Sequence, residues 1–186
     1  MASVSKQFTV MAVMLLARDG LVVLDADIRI YIGEYVAFKD HVTVRDLMNN
    51  SSGIRDLFEM QDIMGISNDD ISTQNFVLRL CSRQKEVNFE PESRYSYSNM
   101  NFILLSAIVE NVTGKTFPDF INERIFKPLG MEHSAVRDKY WTCIPNRSNS
   151  FMDNGTKYFY NPLVYGLYGA TALNTCARPC QMDAQL

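Results

Sequence analysis

The first apolar pattern along the chain is helical. Over residues 3–18 apolar side chains recur at intervals of three and four, and Asp19 with Gly20 then supplies a stop. The apolar members of this stripe are Phe8, Met11, Ala12, Met14, Leu15 and Leu16. The pattern predicts a helix over 3–18 with a largely buried face.

Four further segments carry helical signals. Thr43 precedes VRDLMNN and Ser72 precedes TQNFVLRLCSR, and each is a residue type that caps a helix N-terminus. The segment NFILLSAIVENV follows a helical period and meets a stop at Gly114. Residues 117–126 continue the pattern and are closed by KPLGM. We therefore predict a largely helical chain.

Extended structure is scarce in the pattern. Residues 21–32, LVVLDADIRIYI, indicate a short extended run and a turn, and YFYNPLVYGLYGATALN is the only later segment with plausible strands. The helices are too apolar to stand without a covering layer. We expect part of a domain, with apolar faces left exposed on the helices that carry Ser3 and Asn101.

Composition narrows the possible partners. A chain of 186 residues with 47% hydrophobic and 21% charged residues is typical of one globular domain. The net charge is −3 and no run of lysine and arginine forms a basic stripe, which argues against nucleic acid as a partner. The longest apolar stretch, 10–17, is far shorter than the roughly 20 residues of a membrane span. We expect no transmembrane segment.

The residues that commonly bind metals are dispersed. They are His41, Cys81, His133, Cys143, Cys176 and Cys180. No CxxC pair occurs, and neither histidine lies near a cysteine in sequence. We predict no metal and no cofactor, and we interpret the cysteines as buried or incidental thiols.

Ser3 and Lys6 are the first candidates for chemistry. A serine hydroxyl needs a base to become a nucleophile, and residues i and i+3 of a helix lie about 5 to 6 Å apart between β-carbons. Lys6 can therefore reach the Ser3 hydroxyl, and it can accept a proton when it is partly neutral. Ser82 and Lys85 repeat the spacing at the frayed, polar end of a predicted helix, where we interpret the match as a surface coincidence.

A second candidate is the tripeptide YSN at 97–99. The Tyr97 phenol could relay a proton to a leaving group, and the Asn99 carboxamide could hold a substrate amide. The alternative is that Tyr97 is a packing aromatic and Asn99 a helix cap. TGKT at 113–116 does not predict a phosphate loop, because that motif needs glycine where Val109 stands.

Three segments together resemble one known family. ASVSKQFT, VTVRDLMNNSSGIRDL and SRYSYSNMNFILLSAIVENVTGKTFPDFINERIFKPLGM are similar to the serine β-lactamase and penicillin-binding-protein superfamily, in the class C-like group that also holds esterases and D-amino-acid peptidases. The resemblance implies that Ser3 is acylated, that Lys6 and Tyr97 share the proton transfers, and that Asn99 contacts the acyl group. It also implies that the Ser3 backbone N–H forms one half of an oxyanion hole.

The resemblance also implies a fold and a gap in it. It predicts an α/β (α+β) domain of the β-lactamase/DD-peptidase-like fold, incomplete here, with mainly its helical portion and most of its antiparallel sheet missing. The family's third motif, KTG or HxG, does not occur in the sequence, and the chain begins two residues before Ser3. We therefore expect little or no turnover, and the alternative function is a non-catalytic remnant that binds ligand weakly.

Several properties stay open at this point. The substrate is a small-molecule or peptide acyl compound, which could be a β-lactam, a D-amino-acid peptide or an ester. Members of the superfamily are often exported to the bacterial envelope, and neither compartment nor oligomeric state follows from the sequence.

The last eleven residues depart from the resemblance. After Thr175 the family pattern predicts a continuation similar to ARDLAKW, whereas CARPCQMDAQL follows. One set of codons for CARPCQMDAQL reads ARDLAKWMLN in the next frame. We therefore predict a partial serine hydrolase domain over 1–175 and a frameshifted tail over 176–186. Source DNA whose codons do not permit this reading would exclude the prediction.

Overall fold

The computed structural model of the chain describes residues 1–67, 70–161 and 165–176. Within these ranges the α-helices are α1 (Lys6–Arg18), α2 (Arg29–Ile32), α3 (Val44–Asn49), α4 (Leu57–Ile63), α5 (Gln74–Cys81), α6 (Asn99–Thr113) and α7 (Phe117–Ile121). A 3-10 turn, Ser3–Ser5, leads into α1, and another, Gly33–Tyr35, follows α2. A π-helical turn, Asn122–Phe126, extends α7.

The strands are two or three residues long. They are β1 (Ser72–Thr73), β2 (Ala135–Val136), β3 (Phe151–Asp153), β4 (Tyr158–Tyr160), β5 (Tyr165–Gly166) and β6 (Leu173–Asn174). In the described part of the chain, β1 pairs with β5 in parallel, and β2–β6 and β3–β4 are antiparallel pairs. The prediction of an α+β fold that is mainly helical is confirmed.

Helix α6 is the centre of the core. Every residue from Met100 to Val109 is buried, and α1, α2, α3, α5 and α7 all contact the helix. A helix that is apolar on all sides requires such enclosure. The prediction that the Asn101 helix exposes an apolar face is therefore wrong. Only α1 shows part of the predicted exposure, with Met11 40% and Met14 44% accessible.

Caps and stops account for most of the helix ends predicted from sequence. Thr43 and Asp46 form a capping box at the start of α3, with the Thr43 side chain accepting from the Asp46 N–H and the Asp46 carboxylate accepting from the Thr43 N–H. Gly114 ends α6 as predicted. The cap of α5 is Thr73 and not Ser72, because the buried Ser72 hydroxyl accepts from the Gln61 side chain.

Two other segments differ from prediction. Residues 21–32 form turns and α2 in place of an extended run, because the Asp27 carboxylate accepts the Arg29 N–H and begins a helical turn that buries Ile28 and Ile32. Helix α4 was not predicted. Asp56 is its N-cap, a signal that the sequence contains.

The cysteines and the membrane prediction can be examined within the described residues. Cys81 and Cys143 are free thiols, and burial raises the pKa of the Cys81 thiol to about 12. Across 1–67, 70–161 and 165–176, no helix has the length and apolar character needed to cross a bilayer. Residues 177–186 lie outside the described ranges, so the frameshifted tail stays a prediction.

Candidate active site

Ser3 lies on the turn that leads into α1, with its side chain exposed. Its Oγ is 2.7 Å from the Tyr97 hydroxyl and 3.2 Å from Lys6 Nζ. Ser5 holds this turn in place, because its hydroxyl donates to the Met1 carbonyl at 2.7 Å and accepts the Leu173 N–H at 3.3 Å. The candidate nucleophile is thus presented on an anchored turn.

Lys6 is buried beneath the Ser3 hydroxyl, with 7% of its surface exposed. Its Nζ donates to Ser3 Oγ, to Asn99 Oδ1 at 2.8 Å and to the Ala170 carbonyl at 3.0 Å. It also lies 4.9 Å from the centre of the Tyr97 ring. Three acceptors in three directions fix the amine next to Ser3, as the i, i+3 spacing allows.

Tyr97 and Asn99 complete the cluster from the start of α6. Tyr97 is 42% exposed, and its hydroxyl contacts Ser3 Oγ and lies 3.3 Å from Asn99 Oδ1. Asn99 is the first residue of α6 and Ser98 occupies the cap position, with no side-chain cap hydrogen bond. The alternative that Asn99 is the helix cap is therefore wrong. The structure brings Ser3, Lys6, Tyr97 and Asn99 into one hydrogen-bonded group.

A buried polar network supports the Tyr97 segment. Asn50 Oδ1 accepts the Ser98 N–H at 3.1 Å and the Asn101 side-chain amide at 3.0 Å, while Ser52 donates to Asn101 Oδ1 at 2.7 Å. The loop NSSGI, residues 50–54, therefore joins the segment before α6 to α6 itself. Such fully paired networks hold a local geometry rigidly.

The loop between β5 and β6 forms another wall of the site. Its Gly169 carbonyl accepts from Thr9 Oγ1 at 2.7 Å, and its Ala170 carbonyl accepts from Lys6. Gly169 has φ +87°, and a Cβ there would meet the Phe102 carbonyl at 2.3 Å. The pattern of the sequence did not indicate these contacts, because a backbone carbonyl has no signature in side-chain chemistry.

The two rival motifs are not functional clusters in the structure. Ser82 follows the end of α5 and donates to the Arg79 carbonyl at 2.9 Å, while Lys85 is exposed. In TGKT, Thr113 donates back to the Val109 carbonyl and Lys115 pairs with Glu123. Both are surface and helix-end features, as the sequence indicates.

A half-buried carboxylate connects α6 to the β5–β6 loop. Glu110 accepts the Phe117 N–H at 2.8 Å and the Tyr168 hydroxyl at 3.0 Å. Burial raises the pKa of Glu110 above its ordinary value of 4.5. The folded chain therefore holds this proton more tightly than the unfolded chain does. The resulting stabilisation is complete below about pH 4.5 and is lost as the pH rises through the folded pKa.

Glu110→Gln is expected to remove this pH dependence. Because the glutamine does not titrate, the free energy of unfolding of the wild-type chain should fall relative to that of the variant as the pH rises from about 4 to about 8. Urea unfolding at a series of pH values measures the difference. A difference that grows in favour of the wild-type chain with rising pH would contradict the assignment.

Comparison with known proteins gives the lineage of this site. The sequence model described as Beta-lactamase matches residues 1–140. The chain belongs to the beta-lactamase family. The match includes all four residues of the hydrogen-bonded group.

Curated relatives of this beta-lactamase family member are D-aminopeptidases. One from Brucella anthropi is 38% identical over 134 residues, and one from Brucella canis is 37% identical over 135 residues. Each match covers 72% of this chain and 25% of the relative. The chain thus spans about a quarter of the length of these relatives.

Solved structures in the beta-lactamase fold agree with the architecture. The D-amino acid amidase from Ochrobactrum anthropi SV3 is 28% identical, with a TM-score of 0.75 over 94% of this chain and 50% of its own. The penicillin-binding protein homologue from Pyrococcus abyssi has a TM-score of 0.82, covering all of this chain and 44% of its own, at 24% identity, which shows the fold alone. The described residues therefore form part of a β-lactamase/DD-peptidase-like fold.

Proposed function

We propose that this chain is a serine acyl hydrolase segment in which Ser3 forms an acyl-enzyme. The observation that carries the proposal is that two proton-transfer groups, Lys6 Nζ and the Tyr97 hydroxyl, lie within hydrogen-bonding distance of Ser3 Oγ. An activated nucleophile needs a base in that position. Exposure of Ser3 gives a substrate carbonyl access to the hydroxyl.

The proposed reaction transfers one proton across the cluster. Ser3 Oγ attacks the substrate carbonyl while its proton moves to Lys6, which must be neutral at that moment, or through Tyr97. The carbon–oxygen bond forms, the bond to the leaving group breaks, and the proton passes to the leaving nitrogen or oxygen. Tyr97 is the more exposed of the two groups, which suits it to that second transfer.

Asn99 and the Ser3 backbone have less direct support. The Asn99 carbonyl oxygen is engaged by Lys6 and its amide by Asp56, so its contact with the acyl group stays a prediction. The backbone N–H of Ser3 as one oxyanion donor also stays a prediction. The roles of Ser3, Lys6 and Tyr97 rest on their mutual distances.

For the substrate, we propose an amide of a D-amino acid. The support is the similarity to proteins named D-aminopeptidase and D-amino acid amidase. β-Lactams and esters are the alternatives, because both present an acyl carbon to the same nucleophile. Most of the length of the curated relatives lies outside the match, so the substrate is tested directly.

Turnover is expected to be slow. The resemblance implies that the strand carrying KTG or HxG supplies the second oxyanion N–H, and the sequence lacks both motifs. Loss of one oxyanion donor costs about 2.7 to 4 kcal/mol of transition-state stabilisation. The alternative function, a weak ligand-binding protein that is never acylated, is favoured by this same absence. Covalent labelling distinguishes the two, since only the hydrolase forms a bond to substrate.

The substrate experiment compares enantiomers. The p-nitroanilides of D-phenylalanine and L-phenylalanine, a p-nitrophenyl ester and nitrocefin are each incubated with the wild-type chain and with Ser3→Ala. We expect release of p-nitroaniline from the D-compound in preference to the L-compound, and none from Ser3→Ala. Equal rates for both enantiomers would contradict the substrate proposal, and activity that survives Ser3→Ala would contradict the mechanism.

A further inference from the structure

Asp56 lies directly behind the hydrogen-bonded group. Its side chain is buried, with the residue 8% exposed, and it joins the start of α4 to the start of α6. One carboxylate oxygen, Oδ2, accepts the Phe58 N–H at 2.9 Å and caps α4. The other, Oδ1, accepts from both the backbone N–H and the side-chain Nδ2 of Asn99, the latter at 2.9 Å. The cap of α4 therefore occupies only Oδ2, and Oδ1 is used for Asn99.

The second oxygen determines which way the Asn99 carboxamide points. A carboxylate oxygen only accepts hydrogen bonds. Asp56 Oδ1 therefore requires the amide nitrogen of Asn99 on its side, which turns the Asn99 carbonyl oxygen toward the N–H groups of Lys6 Nζ. The reversed carboxamide would set its oxygen against the carboxylate and would offer Lys6 no acceptor.

The carboxamide in turn positions the amine. Asn99 Oδ1 makes the shortest of the three hydrogen bonds to Lys6 Nζ, at 2.8 Å, compared with 3.2 Å to Ser3 Oγ. Asn99 Oδ1 also lies 3.3 Å from the Tyr97 hydroxyl. Loss of its orientation would therefore disturb both groups that contact Ser3.

We propose that Asp56 is a positioning residue for acylation of Ser3, acting through the orientation of the Asn99 carboxamide. The hydrogen bonds of its carboxylate go to Phe58 and Asn99 and not to Ser3. The effect of Asp56 on the rate of Ser3 acylation rests on the proposed function. The effect of Asp56 on the order of the Asn99 side-chain amide can be measured without any activity.

Asp46 provides a matched control for Asp56. It is also buried, at 2% exposure, and also stabilises a helix start, accepting from Thr43 and from Ser51 Oγ at 2.8 Å. These partners are the start of α3 and the loop that follows it, and they include none of the four site residues. Asp46→Asn therefore reproduces the loss of a buried helix-start carboxylate without removing a hydrogen bond to the site residues.

The kinetic test uses a fluorescent penicillin on the full chain. Labelling rates at increasing probe concentration give a maximal rate constant and a half-saturating concentration for wild type, Asp56→Asn, Asp56→Ser and Asp46→Asn. We expect both Asp56 variants to lower the maximal rate constant about tenfold or more with little change in the half-saturating concentration. Asp56→Ser retains a good N-cap for α4, so it keeps the test valid should Asp56→Asn fail to fold.

The outcomes separate this inference from the proposed function. Maximal rate constants equal to that of wild type, or an equal loss in Asp46→Asn, would overturn the positioning role and leave acylation of Ser3 standing. A wild-type chain that is not labelled and also releases no p-nitroaniline contradicts the proposed function, and hydrogen exchange of the Asn99 side-chain amide by NMR then tests the inference alone. Faster exchange in the Asp56 variants than in wild type and Asp46→Asn supports it, and equal exchange overturns it.

Discussion

Replacing Lys6 with methionine is expected to slow acylation of Ser3 by a factor of about 10² to 10⁴. Methionine fills much of the space of the lysine stem but neither donates to Ser3 and Asn99 nor accepts a proton. The buried amine lies 3.2 Å from Ser3 Oγ. Tyr97 would remain within reach of the hydroxyl, so the residual rate measures what the phenol can do without the amine.

Lys85→Met is the control for that substitution. Lys85 belongs to the second serine–lysine pair of the sequence, where Ser82 donates to the Arg79 carbonyl and the lysine is exposed. The labelling rate with a fluorescent penicillin should be the same as for wild type. A Lys6→Met chain that is labelled as fast as Lys85→Met would show that Lys6 is not the base.

Replacing Gly169 with alanine is expected to lower the free energy of unfolding by about 2 to 5 kcal/mol. The added Cβ would lie 2.3 Å from the Phe102 carbonyl and 2.8 Å from Ser106 Oγ, in a backbone with φ +87°. The loop must then move away from α6. That movement withdraws the Ala170 carbonyl from Lys6, so acylation should slow as well.

Gly155→Ala isolates the conformational part of this cost. Gly155 has φ +83°, and a Cβ there would have no heavy atom within 4 Å. Its alanine variant should lose only about 1 to 2 kcal/mol and keep the wild-type labelling rate. Urea unfolding of both variants measures the difference. Equal losses would mean that the close approach of the loop to α6 is not as described.

The sequence predicted the parts of the fold that depend on local signals. The period of α6, its stop at Gly114 and the Thr43 cap of α3 each depend on residues only a few positions apart. Residues 21–32 form turns and α2 and not the predicted extended run, because the Asp27 side chain begins α2 in a segment whose residue types favour extension. The short strands pair over long separations and leave little local pattern.

The candidate site was predictable to a similar extent. Ser3 and Lys6 are one helical turn apart, so their contact follows from spacing alone, whereas Tyr97 was placed beside them only by resemblance. The Ala170 carbonyl and the Asp56 carboxylate could not be predicted, because each acts through a tertiary contact with a residue far along the chain.

The most direct test of Ser3 as the nucleophile is to measure the mass of the chain after exposure to a penicillin. Tandem mass spectrometry of the tryptic peptide MASVSK then locates the adduct. We predict one acyl adduct, located on Ser3 and not on the neighbouring Ser5, and absent from Ser3→Ala. An adduct on any other residue, or no adduct on a folded chain that also releases no p-nitroaniline, would contradict the proposal that Ser3 is the nucleophile.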